Sequence, residues 1–242
     1  MNWDASFTVH SGLDREGPGL ARDVHWALRH VPVPPARVLD AGSGPGADSV
    51  TLANALPEAE ILAVDTHPAF VTDAQARLQA FGPRAQARVG DMMDQTGPFD
   101  LIWCAGAIYF VGITQALLQW RAVLSDDGHV AFSQAVLPDT AGEAAARFWA
   151  EEPGVTDADG IADAVAQAGY DVISKRLIMG AAWEAYYTPM EARIAALRAE
   201  GCSQAVAEAC DMNEAEINAW KAACDEIAYL GVVARPSNAG AS

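Results

Sequence analysis

The stretch Val38-Leu39-Asp40-Ala41-Gly42-Ser43-Gly44-Pro45-Gly46-Ala47-Asp48-Ser49 constrains this chain more than any other. A short apolar run ends in an acid, and three glycines at alternate positions precede a helix-compatible segment. Glycine turns the backbone tightly and leaves no Cβ atom in front of a ligand. The helix expected from Ala47 to Leu56 directs its free N–H groups back at the same point. Strand, glycine turn and helix in that order predict a parallel α/β sheet with a nucleotide-like cofactor at the turn.

Two cofactors compete for this turn. Gly42-x-Gly44-x-x-Ala47 satisfies the dinucleotide fingerprint, whose last position accepts alanine. Asp40-x-Gly42-x-Gly44-x-Gly46 resembles motif I of the class I S-adenosylmethionine (SAM) methyltransferases. A dinucleotide brings a doubly anionic pyrophosphate, which an acid two residues before the first glycine repels. SAM has no phosphate and carries two cations, a sulfonium and an ammonium, so Asp40 suits it better.

The charge balance agrees with a cationic or neutral ligand. Fifteen Lys and Arg against 32 Asp and Glu give a formal net charge of −17. Nucleic acid and anionic membranes both need a basic surface, so neither is expected as a partner. The acidity favours a small molecule or a partner protein, and it also aids solubility. The 242 residues, 51% of them hydrophobic, suffice for one α/β domain with a generous core. Cys104, Cys202, Cys210 and Cys224 form no C-x-x-C pair and do not cluster with histidines, so no metal site or disulfide framework is expected. The start Met1-Asn2-Trp3-Asp4 lacks the basic and apolar regions of a signal peptide, and no apolar run reaches membrane-spanning length. A cytoplasmic protein is expected.

Strand and helix patterns alternate along the chain. A loop is expected from Phe7 to Gly19 and a helix from Leu20 to His30, ended by Val31-Pro32-Val33-Pro34-Pro35. Strands are expected at Arg37–Ala41, Glu60–Asp65, Gln86–Gly90, Phe99–Ala105, His129–Val136, Asp171–Met179 and Tyr229–Ala234. Phe99–Ala105 is nearly all apolar and reads as buried on both faces. Helices are expected at Pro68–Phe81, Ile113–Leu124, Ala141–Ala150 and Asp157–Gln167, and across a stretch from Pro189 to Glu226. A loose tail follows from Pro236. The expected organisation is a single domain over 1–242. Residues 1–36 form an N-terminal helix and lid, 37–136 the cofactor-binding core, and 184–227 a helical insertion that offers surface for a homodimer.

In open parallel sheets a ligand sits at the C-terminal strand ends. Asp65 ends the second strand about 25 residues after Asp40, the spacing at which an acid accepts from ribose hydroxyls. Tyr109 follows the fourth strand and is placed either in a substrate pocket or in the core. His67, next to Asp65, reads as a loop residue.

The order of Asp40–Gly46, Val64-Asp65, Gly90-Asp91-Met92, Phe99-Asp100-Leu101-Ile102-Trp103 and Leu124-Ser125-Asp126-Asp127-Gly128-His129 resembles the class I SAM-dependent methyltransferases over 37–136. The flanks His10–Gly19, Gly106-Ala107-Ile108-Tyr109 and Trp183–Pro189 are similar to a bacterial small-molecule subgroup of unassigned substrate. That subgroup tends to carry Ser-Glu where this chain has Cys104-Ala105. The resemblance implies a Rossmann-like, doubly wound, mostly parallel seven-stranded sheet whose last strand is antiparallel and lies between strands five and six. It implies SAM as cofactor, held by Asp40, Gly42, Ser43, Gly44, Gly46, Asp65, Thr66, Asp91, Met92 and Cys104. Asp91 would accept from the adenine amino group, and Met92 would give the ring a soft apolar contact.

Methyl transfer from a sulfonium is an in-line displacement that rests on proximity and desolvation. A base is needed only if the acceptor loses a proton. His10, Tyr109, Tyr186 and Tyr187 are the candidates, with His10 in a segment able to close over the cofactor. Arg15 is a candidate to pair a substrate carboxylate. Trp183, Tyr186 and Tyr187 form an aromatic cluster suited either to packing or to a cationic substrate. The sequence leaves two other functions open: an NAD(P)-dependent oxidoreductase, and a non-catalytic protein that binds SAM or S-adenosylhomocysteine (SAH).

Overall fold

The computed structural model describes residues 3–152 and 154–237. The first two residues, and the tail beyond 237, lie outside the described residues. Seven strands form one sheet: β1 (Arg37–Ala41), β2 (Glu60–Asp65), β3 (Ala85–Val89), β4 (Phe99–Ala105), β5 (Leu124–Val136), β6 (Tyr170–Ile178) and β7 (Ala228–Pro236). Their order is β3-β2-β1-β4-β5-β7-β6. The pairs from β3 through β5 are parallel, and β7 runs antiparallel to both β5 and β6. This is the mostly parallel sheet with an antiparallel last strand that the sequence led us to expect. The strand order reverses between β1 and β4, so the C-terminal end of β1 opens on the topological switch point.

Alternation along β4 assigns the two faces. Leu101 and Trp103 pack with Val38, Ala131 and Val233 beneath the helices α2 (Ala21–Leu28), α3 (Ala47–Ala55) and α4 (Pro68–Leu78). Ile102 and Cys104 pack with Phe132 and Leu230 against α5 (Ile113–Trp120) and α7 (Ala158–Gln167). Side chains of successive residues point to opposite faces, so an apolar strand of this kind serves both layers.

The remaining helices are α1 (Trp3–His10), α6 (Glu143–Phe148), α8 (Ala181–Glu200) and α9 (Gln204–Ala222). The pair α8 and α9 connects β6 to β7 and forms a third apolar cluster with α1. Ala5, Val9, Trp183, Tyr187, Met190, Ile194, Ile217 and Trp220 are buried in it.

Three expectations differ from the structure. Residues 3–10 form a helix, although a loop was expected from Phe7. This short helix gains its apolar partners from α8 and α9 and from His67 and Phe70, all far away in sequence. α8 begins at Ala181 and runs through Pro189, which was expected to start it. Proline at the first helical position is the favoured arrangement, but tertiary packing of Tyr186, Tyr187 and Met190 overrides that rule here. The helices expected at Pro68–Phe81 and Ile113–Leu124 end early, α4 at Leu78 and α5 at Trp120, each passing into a tighter 3-10 turn.

Candidate functional site

A cavity of about 600 Å³ lies at the C-terminal ends of β1, β2 and β4. The turn after β1 forms its floor. Gly42, Gly44 and Gly46 all have positive φ, at 73°, 51° and 92°. Only glycine adopts such angles at low cost. Gly42 also lacks room for a side chain: a Cβ there would stand 2.5 Å from the Ala107 Cβ. Gly46 is used differently. It sits at the start of α3, where a Cβ would come 2.9 Å from the Ala74 Cβ of α4, so it permits close packing of the two helices.

Asp65 holds the turn. Its Oδ2 accepts from the Gly44 N–H at 2.9 Å and its Oδ1 from the His67 N–H at 2.8 Å. A carboxylate offers about four acceptor positions, so about two remain for a ligand's hydroxyls. Asp40 is 2% exposed at the end of β1, and its Oδ2 accepts from the Ser49 hydroxyl at 2.5 Å. Burial pushes its pKa up to about 8; the neighbouring Asp48 and Asp65 add to the shift, and the Ser49 bond and Arg15 oppose it. The group is thus largely neutral at pH 7 and ready to ionise beside an arriving cation.

The segment between α1 and α2 straps the cavity. Arg15 pairs with Asp48 at 3.2 Å, and Asp48 also accepts from the Trp103 Nε1 at 3.1 Å. Asp14 pairs with Arg77 of α4 at 2.6 Å. His10 Nδ1 and Glu16 Oε2 are 2.6 Å apart. Burial alone would lower the His10 pKa, but the Glu16 bond and charge outweigh it and raise it; burial likewise raises Glu16 against the pull of His10. The two groups therefore titrate as one unit.

Of the residues expected at the cofactor, Asp40, Gly42, Ser43, Gly44, Asp65, Thr66, Asp91 and Met92 line the cavity. Gly46 and Cys104 do not. Cys104 is fully buried on the opposite face of β4, and burial pushes its thiol well up, which leaves it an inert core residue. His10, Tyr109 and Tyr186 all line the cavity. Burial, with smaller contributions from Glu152 and Glu216, pushes the Tyr109 phenol up to about 12, and burial with the charge of Glu216 raises the Tyr186 phenol well above its ordinary value. Both are hydrogen-bond donors at neutral pH. Of the three, only His10 is placed to exchange a proton there.

The sequence reading missed Phe7, Glu16, Asp48 and Phe70 in the lining. Phe7 stacks on His67 at 3.7 Å and meets Phe70 edge-on at 5.7 Å, making an apolar wall beyond Asp65. An aromatic residue four places before the glycine-rich segment that starts at Ser11 is a weak signal, and Phe7 had been placed in a loop.

Comparison with known proteins agrees with this geometry. Residues 38–128 match the family described as a methyltransferase domain. The chain is 32% identical over 160 residues to the malonyl-[acyl-carrier protein] O-methyltransferase of Laribacter hongkongensis, covering 59% of this chain and 52% of that protein. It is 34% identical over 120 residues to the trans-aconitate 2-methyltransferase of Methylobacterium nodulans, covering 49% of this chain and 40% of that protein. The chain thus spans about half the length of these curated relatives. A SAM-dependent methyltransferase from Geobacter sulfurreducens, crystallised with SAH, superposes with a TM-score of 0.81 at 18% identity, covering 96% of this chain and 98% of that one. Likeness at that identity speaks for the fold. Residues 38–128 thus resemble a methyltransferase domain, and the chain shares the fold of that SAM-dependent methyltransferase.

Proposed function

We propose that the protein transfers a methyl group from SAM to a small-molecule acceptor. The observation that carries this reading is the pair of carboxyl groups, Asp40 and Asp65, in a glycine-floored cavity where Arg15 and His10 are already engaged. Arg15 is tied to Asp48 and His10 to Glu16. A pyrophosphate would find two acids beside the glycine turn, and the one arginine of the described lining tied to Asp48. SAM offers cations to the acids and hydroxyls to Asp65.

The residues present fit SAM. Gly42, Ser43 and Gly44 give the backbone access, Asp40 faces the cationic end, and Asp65 takes the ribose hydroxyls. Asp91, Met92 and Phe7 border the adenine. When bound, SAM supplies an activated methyl group on a cationic sulfur. The chain's contribution is to bind, orient and exclude water, through the strap of residues 11–20 and the rings of Tyr109 and Tyr186. The His10–Glu16 pair takes up a proton where the acceptor must release one. No observation favours the oxidoreductase reading. The absence of basic surface expected from the charge supports a small-molecule acceptor over nucleic acid.

The test is SAH production from SAM over a panel of small amines, alcohols and acids. SAH formed in proportion to one class of acceptor supports the reading. SAH binding with no turnover on any class would make the protein a non-catalytic binder, and no binding at all would overturn the reading.

A further inference from the structure

A second cavity, of about 230 Å³, opens beside the first. Glu16, Gly17, Pro18, Tyr109 and Tyr186 line both, so a ligand in the second cavity meets the first at this junction. Its walls are aromatic. Trp183 meets Tyr229 edge-on at 5.4 Å and lies 6.0 Å from Trp149, which in turn lies 6.0 Å from Tyr229. Tyr187 and Phe148 complete the ring.

The polar groups of this cavity share a sign. Glu16, Glu152 and Glu216 line it, and among the described residues lining it there is no lysine, arginine or histidine. Two acceptors are buried without a hydrogen-bond partner: Glu16 Oε1 and Gln134 Oε1, the latter on a side chain 6% exposed. Burial, reinforced by the charge of Glu216, holds the phenols of Tyr186, Tyr187 and Tyr229 protonated. Buried polar atoms are nearly always satisfied in native proteins, so unpartnered acceptors at a cavity wall point to a donor in the ligand. Trp149 Nε1 is a buried, unpartnered donor of the lining and suits a ligand hydroxyl.

We propose that this aromatic, acid-lined cavity binds a small organic ammonium ion, which is the methyl acceptor. The assignment as acceptor rests on the methyltransferase reading above. Ring faces attract a cation through their quadrupoles, and desolvation in such a cage strengthens the attraction. A carboxylate acceptor finds no cation in this cavity, because Arg15 is committed to Asp48. Methylation of the amine forms one N–C bond as the sulfonium S–C bond breaks, with that bond's electron pair leaving on sulfur. The bound ammonium first gives up one proton to the Glu16 carboxylate at the junction, which frees the nitrogen lone pair that forms the new bond.

The test titrates SAH-saturated protein with choline, followed by tryptophan fluorescence and calorimetry. Two controls are its neutral isostere, with a tert-butyl group in place of the trimethylammonium, and citrate. Choline is expected to bind at least about tenfold more tightly than the isostere, the scale of a desolvated cation–π contact. The double variant Glu152→Gln/Glu216→Gln replaces two exposed carboxylates by amides that keep an acceptor. It is expected to lose at least about fivefold in choline affinity with SAH affinity unchanged. Trp149→Leu is expected to weaken choline binding and remove part of the fluorescence response. Equal binding of choline and isostere, or tighter binding of citrate, overturns the proposal. Failure of SAH to bind overturns the methyltransferase reading instead, and choline then still judges the cavity in cofactor-free protein by the same ratio.

Discussion

Asp65 and Gly44, 21 residues apart, are joined by a hydrogen bond of 2.9 Å from the glycine N–H to the carboxylate Oδ2. The acid that ends β2 therefore fixes the turn that follows β1, and a ligand held by one depends on the other. The same carboxylate keeps acceptor positions free toward the cavity. One residue thus has two functions, shaping the turn and meeting the ligand.

Replacing Asp65 by Ala is expected to weaken SAH binding by about 1–3 kcal/mol, the scale of lost hydrogen bonds to a charged group. Asp65→Asn keeps one acceptor oxygen and is expected to lose less. Calorimetric titration of both variants checks this, and unchanged affinity in Asp65→Ala would remove the residue from the site.

Gly42 and Gly44 are expected to differ in their tolerance of alanine. Both have positive φ, which costs a non-glycine residue about 1–2 kcal/mol. At Gly44 the new Cβ would meet only the flexible Glu16 Cγ, at 3.4 Å, whereas at Gly42 it would overlap Ala107. Urea denaturation is expected to show a larger loss for Gly42→Ala than for Gly44→Ala. Equal losses would mean that the contact with Ala107 relaxes freely. Gly44→Val is expected to keep the fold and abolish SAH binding, and normal titration by that variant would remove the turn from the site.

The raised pKa of Asp40 makes a signed prediction. Its folded value of about 8 lies above the ordinary carboxylate value. Its stabilising contribution is therefore complete below about pH 4 and is lost as pH rises toward the folded value. The stability of Asp40→Asn relative to the parent is expected to improve from about pH 5 to about pH 9, as thermal melts without cofactor will show. Binding of a cationic ligand favours the ionised form, so SAM binding near neutral pH releases protons. Calorimetry in two buffers of different ionisation heat measures that release. Equal apparent heats, or the same release in Asp40→Asn, would contradict the assignment.

Away from the cavity, Asp23 is 3% exposed, accepts from the Leu20 N–H at 2.8 Å and pairs with Arg176 of β6. Arg176 also lies over the Trp26 ring, 5.4 Å from its centroid, so α2 is clamped to β6. Arg176→Met strands a buried carboxylate and is expected to cost about 3–5 kcal/mol. The double variant Asp23→Asn/Arg176→Met is expected to recover part of that loss. Denaturant melts of both decide the matter.

Much of this was legible in the sequence, and the reasons are physical. β1, β2 and β4 have the bounds read from their apolar runs, because a strand buried on both faces leaves a continuous signal. Asp40 and Asp65 were legible because strand ends in a parallel sheet converge on the switch point. α1 was not, since its partners lie in α4, α8 and α9 and nothing local announces them. Cys104 was assigned to the cavity by its place near the end of β4. The period of two turns it the other way, and only a residue-by-residue parity count along the strand shows this. The aromatic cage was half legible. Trp183, Tyr186 and Tyr187 are neighbours in sequence, but Trp149, Gln134 and Tyr229 join them only through the antiparallel pairing of β5 with β7 and the packing of α6.

The central claim is that the glycine-floored cavity holds SAM through its two acids. Calorimetric titration of the purified protein with SAM, SAH and NADH tests it most directly. The account predicts micromolar binding of SAM and SAH, no response to NADH, and loss of both affinities in Asp65→Ala. Binding of NADH without SAM or SAH would contradict it.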